Sequence, residues 1–140
     1  MPVKWNGPAA LASFERQMGR RLDAARFVVQ NRAKVLISVD GTGTRGTPGA
    51  RNKQGRFLKR LVYGANPSKP GEPPHVQTGR LRASVASERT GMMARVGTNV
   101  VYGRWLELGT VDMAARPWLR RSLVEMTPAV RAILSAPLDV

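Results

Sequence analysis

Apolar residues recur at spacings of three and four from Leu11 through Phe14, Met18, Leu22, Ala25, Val29 and Ala33 to Leu36, while Glu15, Arg16, Arg20, Asp23, Arg26 and Arg32 occupy other faces. The spacing predicts one long amphipathic helix over 8–37. Pro8 suits its first turn behind Asn6 and Gly7, which supply capping chemistry. Gly19 inside the helix costs about 1 kcal/mol relative to alanine and marks a bend or a close contact. A stripe this long in a small chain either packs wholly on its own core or lends part of itself to a neighbouring subunit.

The period changes after residue 80. Leu81, Ala83 and Val85 alternate with Arg82, Ser84 and Ala86, and Ala94, Val96 and Thr98 follow the turn residues Thr90 and Gly91. The alternation predicts a hairpin of strands 81–89 and 92–98. Val101, Tyr102, Trp105, Leu106 and Leu108 then fit one or two helical turns, stopped by Gly109. A further amphipathic helix is predicted over 116–126, with Pro117 in its first turn and Trp118, Leu119, Leu123 and Met126 as its stripe. Thr127-Pro128 either kinks that helix or caps and restarts it, and 127–140 reads as a tail. The expected fold is α+β, a single domain over 1–140 in which the N-terminal and C-terminal helices pack on a small antiparallel sheet.

Between the first helix and the hairpin lies a different kind of sequence. Residues 41–77 are rich in glycine and proline and read as a long basic arm rather than regular structure. Over 41–82, nine basic residues face Glu72 alone, whereas over 83–140 seven face five acidic ones. The arm thus holds much of the excess behind the formal net charge of +14, and such an excess asks for an anionic partner. Arg45, Arg51, Lys53, Arg56, Lys59 and Arg60 are its candidate contacts to DNA or to a partner surface. A solvated loop whose charges only aid solubility is the alternative. No apolar run approaches the ~20 residues of a membrane-spanning helix, and no signal-peptide pattern opens the sequence.

Catalytic chemistry is sparse. The chain has 0 cysteines and 1 histidine, His75, which follows two prolines with no carboxylate beside it to orient it. Thiolate and zinc-thiolate sites are excluded, and the scattered carboxylates form no evident pair or metal set. "DGTGTRG" has the glycines of a phosphate loop but follows a helix rather than a strand. No enzymatic role and no cofactor are expected.

The stretch "PPHVQTGRLRASV" (73–85) instead reads as a stiff lead-in. Gly79 after Thr78 turns the chain into the next element, and Arg80 and Arg82 face a partner or an acidic neighbour while Leu81 points inward. Glu107 is expected in a structural ion pair with Arg104 or Arg116. Tyr102, Trp105 and Trp118 read equally as interface anchors or as core.

"SKPGEPPHVQTGRLRASV", "ARVGTNVVYGRWLELGT" and "ARPWLRRSL" follow one another between residues 68 and 123. In order and spacing they resemble the small neck proteins of long-tailed bacteriophages, the tail-completion or head-tail joining family. The basic arm over 41–66 and the Met92-Met93 pair depart from that pattern. The resemblance implies a non-enzymatic virion protein assembled in the host bacterial cytoplasm as a ring, commonly a hexamer, at the head-proximal end of the tail. Its partners would be the connector or stopper, the tail terminator, the tail tube and the genome DNA in the channel, with no membrane. It makes Arg80, Arg82, Tyr102 and Trp105 candidates for the subunit or neighbour interface, and Thr78, Gly79, Glu107, Gly109, Thr110, Arg116 and Pro117 structural motif positions. A free nucleic-acid binder without sequence specificity is the alternative reading of the same charge.

Overall fold

The computed structural model describes residues 6–39, 41–42, 54, 68–76 and 78–137. The arm candidates Arg45, Arg51, Lys53, Arg56, Lys59 and Arg60 all lie outside the described residues.

Helix α1 (Gly7–Ser38) has 32 residues, and at 1.5 Å per residue it spans roughly 48 Å. Pro8 stands in its first turn, while Asn6 at the cap position makes no side-chain cap hydrogen bond. Only part of the apolar stripe reaches the core. Ala25, Val29, Ala33, Leu36 and Ile37 are buried, but Leu11 is 64% exposed and Phe14 42%. The reason is the length of what packs beside them.

Helix α4 (Leu119–Ser135) runs antiparallel to α1, with Arg32 paired to Glu125 at 2.6 Å. At the other end Arg21 donates to the carbonyls of Leu134 at 3.3 Å and Pro137 at 2.6 Å, a cation against the last turn of α4. The first turns of α1 therefore run on past the end of α4.

The architecture is α+β, as the periodicity predicts. The sheet is one antiparallel hairpin, β1 (Val85–Thr90) and β2 (Met93–Thr98), in register from Val85 opposite Thr98 to Thr90 opposite Met93. Gly91 at φ 57 begins the two-residue turn and Met92 is not at positive φ, the pattern of a type II′ hairpin. The hairpin is stitched to α1 by side chains. Arg26 donates to the Ser87 carbonyl at 2.7 Å, Gln30 to the Val85 carbonyl at 3.2 Å, and Arg89 pairs with Asp23 at 3.2 Å. Gly19 resolves as a close contact: a Cβ there would sit 3.3 Å from the Arg89 guanidinium.

Three expectations need correction. The first strand begins at Val85, not at residue 81, because Arg80–Ser84 forms a short helix, α2. Leu81 and Val85 are both buried, 6% and 1% exposed, and over five residues alternation and a four-residue helical repeat bury the same positions. The last helix starts at Leu119 with Trp118 at its cap, leaving Pro117 just outside it. That helix also continues through Pro128 to Ser135 instead of giving way to a tail over 127–140. Proline is tolerated there because Val124 and Pro128 both lie on the exposed side, where water can satisfy the freed carbonyl.

The core is formed by Ala33, Ile37, Leu81, Val85 and Trp118, with Val96, Tyr102, Leu106 and Leu119 packed on it. Trp118 is thereby core, 1% exposed, and its indole N–H donates to the Gly103 carbonyl at 3.1 Å. Helix α3 (Val101–Leu108) approaches this cluster closely at Gly103, where a Cβ would meet Thr98 Cγ2 at 2.7 Å. Gly109, at φ 78, ends α3 and donates to the Trp105 carbonyl at 2.8 Å. Thr110 and Met113 then close a tight antiparallel bridge that returns the chain toward α4.

Candidate functional site

Most of the described residues that the sequence marks out converge on two places, the junction between α3 and α4 and a cleft beside α2. The junction is built by Glu107. Its Oε2 accepts the backbone N–H groups of Trp118 at 2.8 Å and Leu119 at 2.9 Å, and its Oε1 accepts that of Arg120 at 2.8 Å. The first turn of a helix leaves such donors unpaired and carries partial positive charge, so a carboxylate satisfies both needs. The expected ion pair with Arg104 or Arg116 is not made. Glu107 acts instead as a cap supplied from another helix, and the signal in the sequence was an omission: Arg116-Pro117-Trp118 offers α4 no local Ser, Thr, Asp or Asn. Gly109 belongs to the same joint, since a Cβ there would lie 2.9 Å from the Met113 carbonyl oxygen and 2.9 Å from the Ala115 nitrogen.

The cleft lies between the segment 68–82 and α3, with a volume of about 640 Å³. One wall begins at Ser68. Glu72 folds this segment by accepting from the backbone N–H of Lys69 at 2.8 Å, the backbone N–H of Thr42 at 3.1 Å and the Thr42 hydroxyl. These bonds, the Thr42 hydroxyl first, hold its carboxyl down at about 2. The Gly71 N–H donates to the Ala115 carbonyl at 3.0 Å, tying the segment to the chain ahead of α4. His75 donates from Nδ1 to the Val76 carbonyl at 2.9 Å. Gly79 then turns at φ 75, so that α2 presents Arg80 and Arg82 to the cleft.

Ile37, Leu81 and Leu106 contribute apolar lining, and Tyr102 stands beside them. Arg116 also lines the cleft, fixed by its backbone N–H to the Leu106 carbonyl at 2.7 Å, and its Nε is buried without a hydrogen-bond partner. Among the described residues, no carboxylate lies in the lining. The described carboxylates are largely committed elsewhere: Asp23, Glu88 and Glu125 pair with arginines, Glu72 holds its own loop, and Glu107 caps α4. Arg80, Arg82 and Arg116 therefore meet no acidic partner within 4.0 Å among the described residues.

Of the interface candidates, Arg80, Arg82 and Tyr102 share this cleft, and Thr78, Gly79 and Arg116 line it too. Trp105 does not. It is 53% exposed and stands on α3 between Val101 and Leu108, each 67% exposed, in an apolar stripe at helical spacing. Sequence reasoning missed Gly103, whose role depends on side chains brought to it from Leu81, Thr98 and Trp118.

Chemically the cleft can hold an oxyanion. Thr78 and His75 line it, with no carboxylate among the described lining residues to activate either. Among the described residues, no three His, Cys, Asp or Glu side chains gather as metal ligands, and no helix is long and apolar enough to cross a membrane. No family model matches the sequence, and no curated protein or solved structure matches it either.

Proposed function

We propose that this chain is a structural virion protein of a tailed bacteriophage, a neck-ring subunit that completes the tail and joins it to the head. The observation that carries the reading is the ordered series of motifs between residues 68 and 123, whose members do architectural work. Gly79 turns the chain into α2, Glu107 caps α4, Gly109 packs against backbone and Trp118 fills the core. Residues held by backbone hydrogen bonds and core contacts suit a part that must keep its shape within an assembly. Exposed Trp105, Val101 and Leu108, with Arg80 and Arg82 at the cleft, supply surfaces for neighbouring subunits or adjacent neck proteins.

In this mechanism subunits associate side by side as a closed ring, and the basic arm approaches DNA in the channel or an acidic face of the connector, terminator or tube. Replacing Arg45, Arg51, Lys53, Arg56, Lys59 and Arg60 together by glutamine should leave the monomer folded and reduce infectious yield. Unchanged yield would remove the arm from the mechanism. The reading itself is tested by electron microscopy of particles assembled without the gene, with complementation by the intact gene. Filled heads and finished tails should accumulate unjoined, or tails should end abnormally at the head-proximal side. Normal joined particles would refute a joining role.

The net charge of +14 also favours a second reading, a free nucleic-acid binder without sequence specificity. That protein would bind duplexes of unrelated sequence alike, with affinity falling steeply as salt rises, and joined particles would form without it.

A further inference from the structure

The cleft beside α2 poses a chemical question that the junction does not. A guanidinium nitrogen is buried without an acceptor, two more arginines line the same cleft, and no described carboxylate is in the lining. Native proteins rarely leave a buried donor unpaired, because a group removed from water without a replacement partner is costly. Such a donor is explained when the acceptor arrives with a ligand. The planar fork of arginine fits a carboxylate or a phosphate.

The rest of the lining separates those two. Ile37, Pro74, Val76, Leu81 and Leu106 make much of the wall apolar, and about 640 Å³ is a volume that takes a few side chains rather than a duplex. A nucleic-acid backbone would leave that surface uncovered, whereas an acidic residue flanked by aliphatic ones would cover it. Glu72 cannot serve as an internal occupant, because Thr42 and Lys69 already engage its carboxylate.

We propose that this cleft is a docking site for an acidic-apolar segment of a partner protein, with Arg116, Arg80 and Arg82 receiving its carboxylate and Ile37, Leu81 and Leu106 its aliphatic side chains. The segment enters beside the α2 turn. Its carboxylate gives the Arg116 guanidinium the acceptor that the described residues withhold, while the exposed Arg80 and Arg82 attract and orient it. The proposal names the chemistry of a partner at the interface inferred above, but it rests on the cleft and not on the neck reading. Loss of either leaves the other standing.

The test follows the side-chain Nε–H resonance of Arg116 in the full-length ¹⁵N-labelled protein, assigned by its disappearance in Arg116→Leu. The probe is a capped five-residue peptide of alternating leucine and glutamate, added at physiological salt. The resonance should shift saturably, and the same peptide with glutamine for glutamate should bind at least about tenfold more weakly, as loss of a charge-assisted contact implies. Arg116→Leu should retain the wild-type melting temperature and lose peptide binding, and Arg80→Gln with Arg82→Gln should weaken it. An unmoved Arg116 resonance, or equal binding of the glutamine peptide, would overturn the proposal. So would a five-residue oligothymidylate that shifts Arg116 as strongly as the glutamate peptide, because the site would then read phosphate.

Discussion

Replacing Glu107 by alanine should destabilise the protein through α4 rather than through an ion pair. The substitution leaves three backbone donors without their acceptor, at 2.8, 2.9 and 2.8 Å in the folded protein. Loss of a helix cap costs about 1 kcal/mol, and up to about 2 in folded proteins. Removing a carboxylate from the positive end of a helix adds about 0.3–1 kcal/mol. Water can reach Arg120 but not the buried Trp118 residue, so part of the loss is not recovered. The sum is about 1.3–3 kcal/mol, which for a chain of 140 residues lowers the melting temperature by roughly 4–10 °C. Glu107→Gln keeps one acceptor oxygen and should fall roughly midway. Thermal denaturation followed by circular dichroism reads both. Arg116→Leu is the internal control, since an ion-paired Glu107 would make it as damaging as Glu107→Ala. Equal destabilisation by those two, or a Glu107→Ala melt within about 1 °C of wild type, would refute the capping argument.

Three more outcomes follow from the same geometry. Gly103→Ala should cost about 1–3 kcal/mol in denaturant unfolding, because its Cβ would meet Thr98 Cγ2 at 2.7 Å and Leu81 Cδ1 at 3.0 Å. Gly97→Ala, with nothing within 4 Å, should be mild by comparison; equal costs would contradict the contact argument. Gly109→Val combines φ 78 with backbone atoms at 2.9 Å and should lower the melting temperature sharply, while wild-type melting would remove the requirement for glycine. Glu72 is held at about 2 against an ordinary 4.5, so its contribution is fully present above 4.5 and is lost as pH falls from there through about 2. Asp23 and Glu125, lowered by their arginine partners, act in the same direction. Thr42→Val should raise the Glu72 midpoint in an NMR titration of its carboxyl carbon, and an unchanged midpoint would deny the hydroxyl its role.

Long-range packing decides which parts of this molecule could be read in advance. Helix α1 was legible because its stripe repeats over many turns, and α3 because Gly109 stops a short one. The hairpin was legible in its second strand and turn region. Its beginning was not, since Leu81 and Val85 satisfy strand and helix patterns alike until Gly79 is seen at φ 75. Pro128 looked like a boundary because a proline carries no information about which side of the helix faces water. The exposed Leu11 and Phe14 belong to the same repeat as buried Val29, and only the extent of α4 separates them.

The candidate site divides in the same way. Arg80, Arg82 and Tyr102 were visible as surface chemistry, and their convergence with Arg116 required the fold. Glu107 was visible as an important acid but was given the wrong partner. Its acceptors' donors are backbone groups 11 to 13 residues away, which no residue identity announces.

The most direct test of the central claim is a cryo-electron microscopy map of the neck in finished infectious particles. The account predicts a ring of this chain at the head-proximal end of the tail, recognisable by the 32-residue rod of α1 with α4 antiparallel beside it. Purified particles that lack the protein, or a neck whose density is fully explained by other chains, would contradict it.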